Sequence, residues 1–258
     1  MGYYTGLLVK DWKISMKAQL QNYLFILVLW MLGVGVSLSV DEPEISIAVC
    51  LTLISIHIFY MGTDMVMNLV KEQKLKMWLY NPNPARSLLS SKLVISLSNC
   101  LISITFAIAL YAVSCFISGQ PFLQGKEFAD GFALISTILG VGMYFAIWAV
   151  FFWSQIAAAK GKRFEYVRFS LSGFIAYIIF QLHEGFVLSS LYERLKGVGS
   201  FPSVSLGSLV TNETSDGYQE ISFGVRLSEF SFGLFTIFLA VSVLVFFLSV
   251  KNVKKIEI

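Results

Sequence analysis

Residues 23–40 read YLFILVLWMLGVGVSLSV, eighteen positions without a charge, closed by Asp41-Glu42-Pro43-Glu44. As a helix such a run is about 27 Å long, close to the roughly 30 Å hydrocarbon core of a bilayer. Lipid offers no partner to backbone N–H and C=O groups, so a run of this kind is expected to be helical. Five further runs follow, at about residues 45–69, 93–117, 132–157, 167–188 and 230–250. The fifth is the least regular. Its uncharged centre, Phe169 to Leu182, ends at His183-Glu184. Burying that pair in lipid is costly, so it is expected near the outer interface, or facing protein or water.

The composition agrees. Charged residues make up 14% of the 258-residue chain and apolar ones 56%, where a soluble domain carries about 25% charged. The mean hydropathy is +0.73. Cys50, Cys100 and Cys115 lie in or beside apolar runs, where a thiol acts as a small hydrophobe, so neither a disulfide nor a metal site is expected. The first apolar run is too long for a leader and lacks a small-x-small cleavage pattern, so no cleavable leader is expected. No Lys/Arg run and no aromatic-basic interleaving point to nucleic acid.

Charge placement sets the expected orientation. With six spans, fifteen Lys and Arg fall on the side of the two termini and four on the other: Lys126, Arg194, Lys196 and Arg226. The positive-inside rule then puts both termini in the cytoplasm.

Three segments outside the spans are structured in pattern. In residues 3–21, Tyr4, Leu8, Trp12, Met16 and Leu20 recur every four positions, with Lys10, Lys13 and Lys17 opposite. This predicts an amphipathic helix at the inner interface. The inner stretch 71–92 reads KEQKLKMWLYNPNPARSLLSSK. Its first part continues span 2 as helix. Asn81-Pro82-Asn83-Pro84 breaks it, and Asn83-Pro84 suits the N-cap and first position of a helix entering span 3. Trp78, Leu79 and Tyr80 tip this excursion. They suit either a docking knob for a cytosolic partner or a turn packed on its own interface. On the outer side, Leu188, Leu191 and Leu195 share a face before Gly197, Gly199 and Pro202. A short amphipathic helix or a plain surface loop both fit.

Within the spans, His57, Asn99, Thr105 and Gln181 are polar. Interhelical hydrogen bonds are the expected role of each. Gly142 and Ala146 form a small-xxx-small pair suited to close helix contact. There is no phosphate-cradling Gly-x4-Gly-Lys-Ser/Thr, no HExxH and no Gly-x-Ser-x-Gly. The chain is therefore expected neither to bind ATP by a P-loop nor to be an enzyme.

This order of parts resembles the permease subunit of type-2 ATP-binding-cassette (ABC) exporters. In the inner stretch Glu72, Leu75, Leu79, Pro84, Arg86 and Lys92 stand where that family has an acidic-basic run, a Leu-rich turn, a Pro, a basic residue and a Lys opening span 3. The chain departs in lacking a Gly after the acidic stretch and in carrying two prolines. The resemblance implies an all-α integral membrane fold, residues 1–258 forming one transmembrane domain. Six transmembrane helices would follow an N-terminal interfacial elbow helix (Tyr4, Leu8, Trp12, Met16), with a short outer helical segment between spans 5 and 6. It implies coupling to an ATPase through Glu72, Leu75, Trp78, Leu79, Tyr80, Pro84 and Arg86, and an outer gate at Leu188, Leu191 and Leu195. ATP and Mg would sit on a separate cytosolic ATPase subunit, present in two copies, with no cofactor on this chain. A second permease copy or paralogue would complete the path, in a bacterial cell membrane. An apolar, aromatic-rich path suits amphipathic or hydrophobic cargo, peptides such as toxins or bacteriocins first, then lipids or drugs. The alternative is a non-transporting membrane scaffold, assembly or immunity protein.

Overall fold

The computed structural model of the protein describes residues 3–74, 84–122, 126–160, 165–213 and 219–254. The membrane body is all α-helical, and six helices are long and apolar enough to cross a bilayer. They are α1 (Tyr3–Val40), α2 (Glu44–Ile56) continued through a 3₁₀ turn (His57–Phe59) into α3 (Tyr60–Lys74), α4 (Ala85–Ile117), α5 (Lys126–Ala159), α6 (Glu165–Val187) and α8 (Phe232–Val253). The short outer helix expected after span 5 is α7 (Ser190–Lys196). Its N-cap, Ser189, accepts from the Tyr192 amide at 3.2 Å.

The N-terminal amphipathic stretch and span 1 form one unbroken 38-residue helix. At 1.5 Å per residue α1 is about 57 Å long, nearly twice the hydrocarbon thickness. No Pro or Gly pair lies between residues 3 and 32 to bend it. It ends where Asp41 takes a left-handed conformation (φ 60°) and the Glu42 amide reaches back to the Ser37 carbonyl at 3.1 Å. This 6→1 bond satisfies a carbonyl that the helix end would orphan.

Span 2 continues past Asp64 to Lys74, as expected. Pro84 is the N-cap of α4 and Ala85 opens the helix, one position later than the expected start at Pro84. The difference lies within the usual ambiguity of helix ends. Residues 75–83, including Leu75, Trp78, Leu79, Tyr80 and the Asn-Pro repeat up to Asn83, lie outside the described residues.

One element has no counterpart in the reading above. Between α7 and α8 the chain forms an antiparallel hairpin, β1 (Ser200–Glu213) with β2 (Gln219–Ser231). Leu209 pairs with Phe223 and Val204 with Leu227, and the register shifts between Ser205 and Ser208. The hairpin leads into α8, whose N-cap Ser231 accepts from the Leu234 amide at 3.3 Å.

The helices pack around α3 and α4. The main core joins Met61, Met65 and Leu69 of α3 to Leu88, Leu89 and Ile104 of α4 and to Ile138 and Val150 of α5. The small pair on α5 serves close contact. Ala146 is fully buried opposite Gly62, and a Cβ on Gly142 would lie 3.1 Å from the Ile58 carbonyl oxygen. Gly233, at the start of α8, is more constrained, since a Cβ there would stand 2.6 Å from the Leu195 carbonyl oxygen. Only glycine lets α8 approach the end of α7 so closely.

Candidate functional site

Two regions carry unusual chemistry. The first is a polar seam between α1, α2–α3 and α4. On α4, Lys92, Ser96, Asn99, Ser103 and Ser114 fall on one stripe, and all are buried. On α1, Asp11, Ser15, Gln19 and Ser37 are buried, while Met16, Leu20, Leu24 and Phe25 are exposed. α1 thus turns its polar face inward and its apolar stripe outward, the reverse of a helix on a water-soluble core and the pattern expected in lipid.

The seam's rungs follow helical spacing. At the end of the seam beside the start of α4, Lys92 Nζ lies 2.9 Å from Glu72 Oε2 and 3.1 Å from Asp11 Oδ1. Lys10 Nζ reaches Glu72 Oε1 at 2.5 Å, and Ser91 donates to Asp11 at 2.5 Å. Farther along, Gln19 donates to Asn99, and Ser96 and Asn99 donate to Asp64 at 2.7 and 3.1 Å. Next, Asn22 donates to Ser103 at 2.8 Å and His57 Nε2 meets the same hydroxyl at 2.8 Å. Trp30 Nε1–H donates to Ser114 at 2.8 Å. His57 and Asn99 are interhelical partners, as expected. Thr105 is exposed and bonds back to the Leu101 carbonyl of its own helix, and Gln181 is exposed. Asp11, Gln19, Asn22, Asp64 and Lys92 were not singled out from the sequence as seam members. Their signal was present as polar residues recurring at three- and four-residue spacing inside or beside apolar runs.

The second region is a cleft of about 2000 Å³ between α3, the first turns of α4, α5, α6 and α8. Its walls are apolar and rich in aromatic rings. Trp148 stacks on Phe152 at 5.9 Å, and Tyr144 packs edge-on to Phe238 at 5.5 Å. Its polar groups are few, and the ionisable Arg86 and Glu184 lie toward its ends. At one end Arg86 holds its guanidinium over the Phe247 ring at 5.6 Å. Toward the other, His183 packs between Tyr144 and Phe238, with Glu184 beside it. The His183–Glu184 pair therefore faces the cleft, one of the placements expected for it. The cleft is wide because α6 stands off the bundle. α6 packs on α5 and α7, and its Phe169, Phe174, Tyr177 and Phe180 remain exposed.

The predicted site residues divide between these regions. Glu72, expected to face a partner, is only 2% exposed and is bound to Lys10 and Lys92. Its position is corrected: it anchors the root of the inner stretch, and its carboxylate is used up inside the chain. Pro84 and Arg86 are exposed beside α4's start, and Arg86 borders the cleft. Of the elbow stripe, Tyr4 and Met16 are exposed and Leu8 and Trp12 half-buried, and the Tyr4 hydroxyl reaches Ser90 at 3.3 Å. Among the residues expected at an outer gate, Leu188 lines the cleft near α7, Leu191 is exposed on α7 and Leu195 is half-buried. Among the described residues no group of three or more His, Cys, Asp or Glu could hold a metal ion. Comparisons with protein-family models, with curated proteins and with solved structures found no match to this chain.

Proposed function

We propose that the chain is the membrane-spanning permease of an ATP-driven exporter for amphipathic or hydrophobic cargo, with peptides as the first candidate. The observation that carries this reading is the cleft. It is large enough for a peptide or lipid segment, runs from Arg86 at the start of α4 to Leu188 beyond α6, and is walled by aromatic rings. Ligand sites of this kind are apolar with a few placed polar groups. Here they include Arg86, Tyr144, His183 and Glu184.

In this reading the energy comes from outside the chain. A cytosolic ATPase in two copies holds ATP and Mg and docks on the stretch 71–92. That stretch joins α3 to α4, so a push on it moves the two helices that border both the seam and the cleft. The ion cluster Lys10–Asp11–Glu72–Lys92 stiffens its root. A second permease copy covers the open side of the cleft beyond α6. The membrane is the cell membrane of a bacterium, with both termini cytoplasmic.

Orientation has its own test. Single cysteines at Lys126 and Ser215 should react with an impermeant thiol reagent added to intact cells, and one at Lys74 should not. Labelling of the Lys74 position from outside would overturn the assignment of sides.

The path is tested at Gly140. This residue lines the cleft, and nothing lies within 4 Å of a Cβ built on it. Gly140→Trp should fill the cleft without disturbing the helices. We expect unchanged membrane yield and ATPase co-purification, with resistance to amphipathic peptides falling about tenfold or more, the factor that about 1.4 kcal/mol of lost binding produces. Unchanged resistance would remove the cleft from the path and return the protein to a scaffold or immunity role.

A further inference from the structure

Asp64 differs from the other buried carboxylates. Its residue is 7% exposed. Among the described residues it makes no ion pair, whereas Asp11 and Glu72 both meet Lys92. Its partners are neutral: Ser96 Oγ at 2.7 Å and Asn99 Nδ2 at 3.1 Å donate to Oδ2, and Asn68 Nδ2 at 3.3 Å donates to Oδ1. Gln19 of α1 braces Asn99 from behind. Three helices therefore converge on this carboxylate with neutral donors, and the positive charge that acts on it, Lys71, makes no ion pair with it. Lys71 lies two turns farther along α3, about 10 Å by helix rise. Lys92, one turn before Ser96, is occupied by Asp11 and Glu72. A buried carboxylate held by neutral donors and without an ion pair is unfavourable.

Asn68 supplies an independent observation. It is 4% exposed, and its side-chain oxygen is buried without a hydrogen-bond partner. Its amide nitrogen faces the Asp64 carboxylate, and turning the amide over would present that oxygen to the same point. A buried oxygen without a donor carries its own desolvation penalty. Both deficits have the same sign, since each group is an oxygen that lacks a positive centre.

We propose that Asp64, Asn68 and Ser96 form a binding site for one hard monovalent cation of the sodium class. A single positive charge neutralises the carboxylate, whereas a divalent ion would leave a buried charge of the opposite sign. Carboxylate, amide and hydroxyl oxygens are the donors that hard cations take, and no thiolate or imidazole is required. His57, the nearest histidine along α2–α3, is engaged by the Leu53 carbonyl at 2.7 Å and by Ser103. Asp64 stands twenty residues beyond Glu44, about 30 Å along the rod, and so at the edge of the hydrocarbon rather than at its centre. An ion held there would tie α3 to α4.

The test uses the full chain in lipid nanodiscs, radioactive sodium for equilibrium binding, and choline as the replacing ion. Wild type should bind one sodium per chain saturably, and sodium should raise its unfolding temperature relative to choline. Asp64→Asn keeps the side-chain shape without the charge. It should unfold in choline above the wild-type temperature, since the buried charge is gone, and it should lose sodium binding. Asn68→Ala should weaken binding about tenfold. Absence of saturable sodium binding in wild type would overturn the proposal, as would binding undiminished in Asp64→Asn. Stabilisation by acid in choline, with no effect of sodium, would assign the carboxylate to a proton and likewise overturn it.

Discussion

Lys92→Ala should cost about 3–5 kcal/mol and abolish recovery of monodisperse protein. The Lys92 residue is 1% exposed, and its ammonium is shared by Asp11 and Glu72, themselves 3% and 2% exposed. The cluster balances two lysines against two carboxylates. Removing Lys92 leaves two buried negative charges facing one partly exposed lysine, Lys10. Breaking a buried pair by deleting one partner typically costs 3–5 kcal/mol, because the remaining charge can reach neither water nor a partner. Domains are stable by only about 5–15 kcal/mol, so such a loss is decisive. Lys13, exposed on the same stretch of α1, is the control. Lys13→Ala should change stability by less than about 0.5 kcal/mol. Thermal unfolding in detergent, read by size-exclusion recovery, compares the two. Equal recovery would mean that the cluster contributes nothing to the bundle.

Much of this architecture was legible in the sequence. Runs such as 23–40 and 93–117 are long, uncharged and bounded by charges, and a bilayer allows them few alternatives to helix. The short helix α7 was readable from the shared face of Leu188, Leu191 and Leu195. Other parts were harder to read. α1 was read as an interfacial helix followed by a span, because Lys10, Lys13 and Lys17 interrupt the hydropathy. Hydropathy does not register that Asp11 meets Lys92, so a single long helix carrying charge to a buried partner resembles two segments. Glu72 reads as a surface charge for the same reason, since its partners stand sixty-two residues before it and twenty after it. The hairpin had a period-two signal in Ile221, Phe223, Val225 and Leu227, with Ser222, Gly224, Arg226 and Ser228 between them. That alternation marks a strand, and the glycines and Pro202 on the other arm obscured it. The cleft was not legible at all, because it follows from α6 standing away from the bundle, and no local pattern encodes a helix's distance from its neighbours.

The proposed coupling rests on residues 78–80, and its test has the largest expected functional effect. Trp78, Leu79 and Tyr80 are consecutive apolar and aromatic residues in the Lys-rich stretch of sequence between α3 and α4. Interface energy concentrates in a few aromatic anchors, each costing about 2 kcal/mol or more on truncation. Losing two such anchors amounts to roughly 4 kcal/mol, close to a thousandfold in affinity. Arg86 sits at the cleft's rim on the other arm of the same stretch, so displacement of the tip would reach the cleft through α4. The spans are untouched by these substitutions, so membrane yield should hold.

The deciding measurement is a pull-down from the native host, using the full chain as bait and scoring a co-purified Walker A ATPase by its ATP hydrolysis. Wild type should retain that ATPase, and Trp78→Ala with Tyr80→Ala should lose it together with ATP-dependent resistance to amphipathic peptides. Equal ATPase recovery and equal resistance in the two proteins, or no ATPase with wild type, would contradict the account and leave the inner stretch as a turn packed on its own interface.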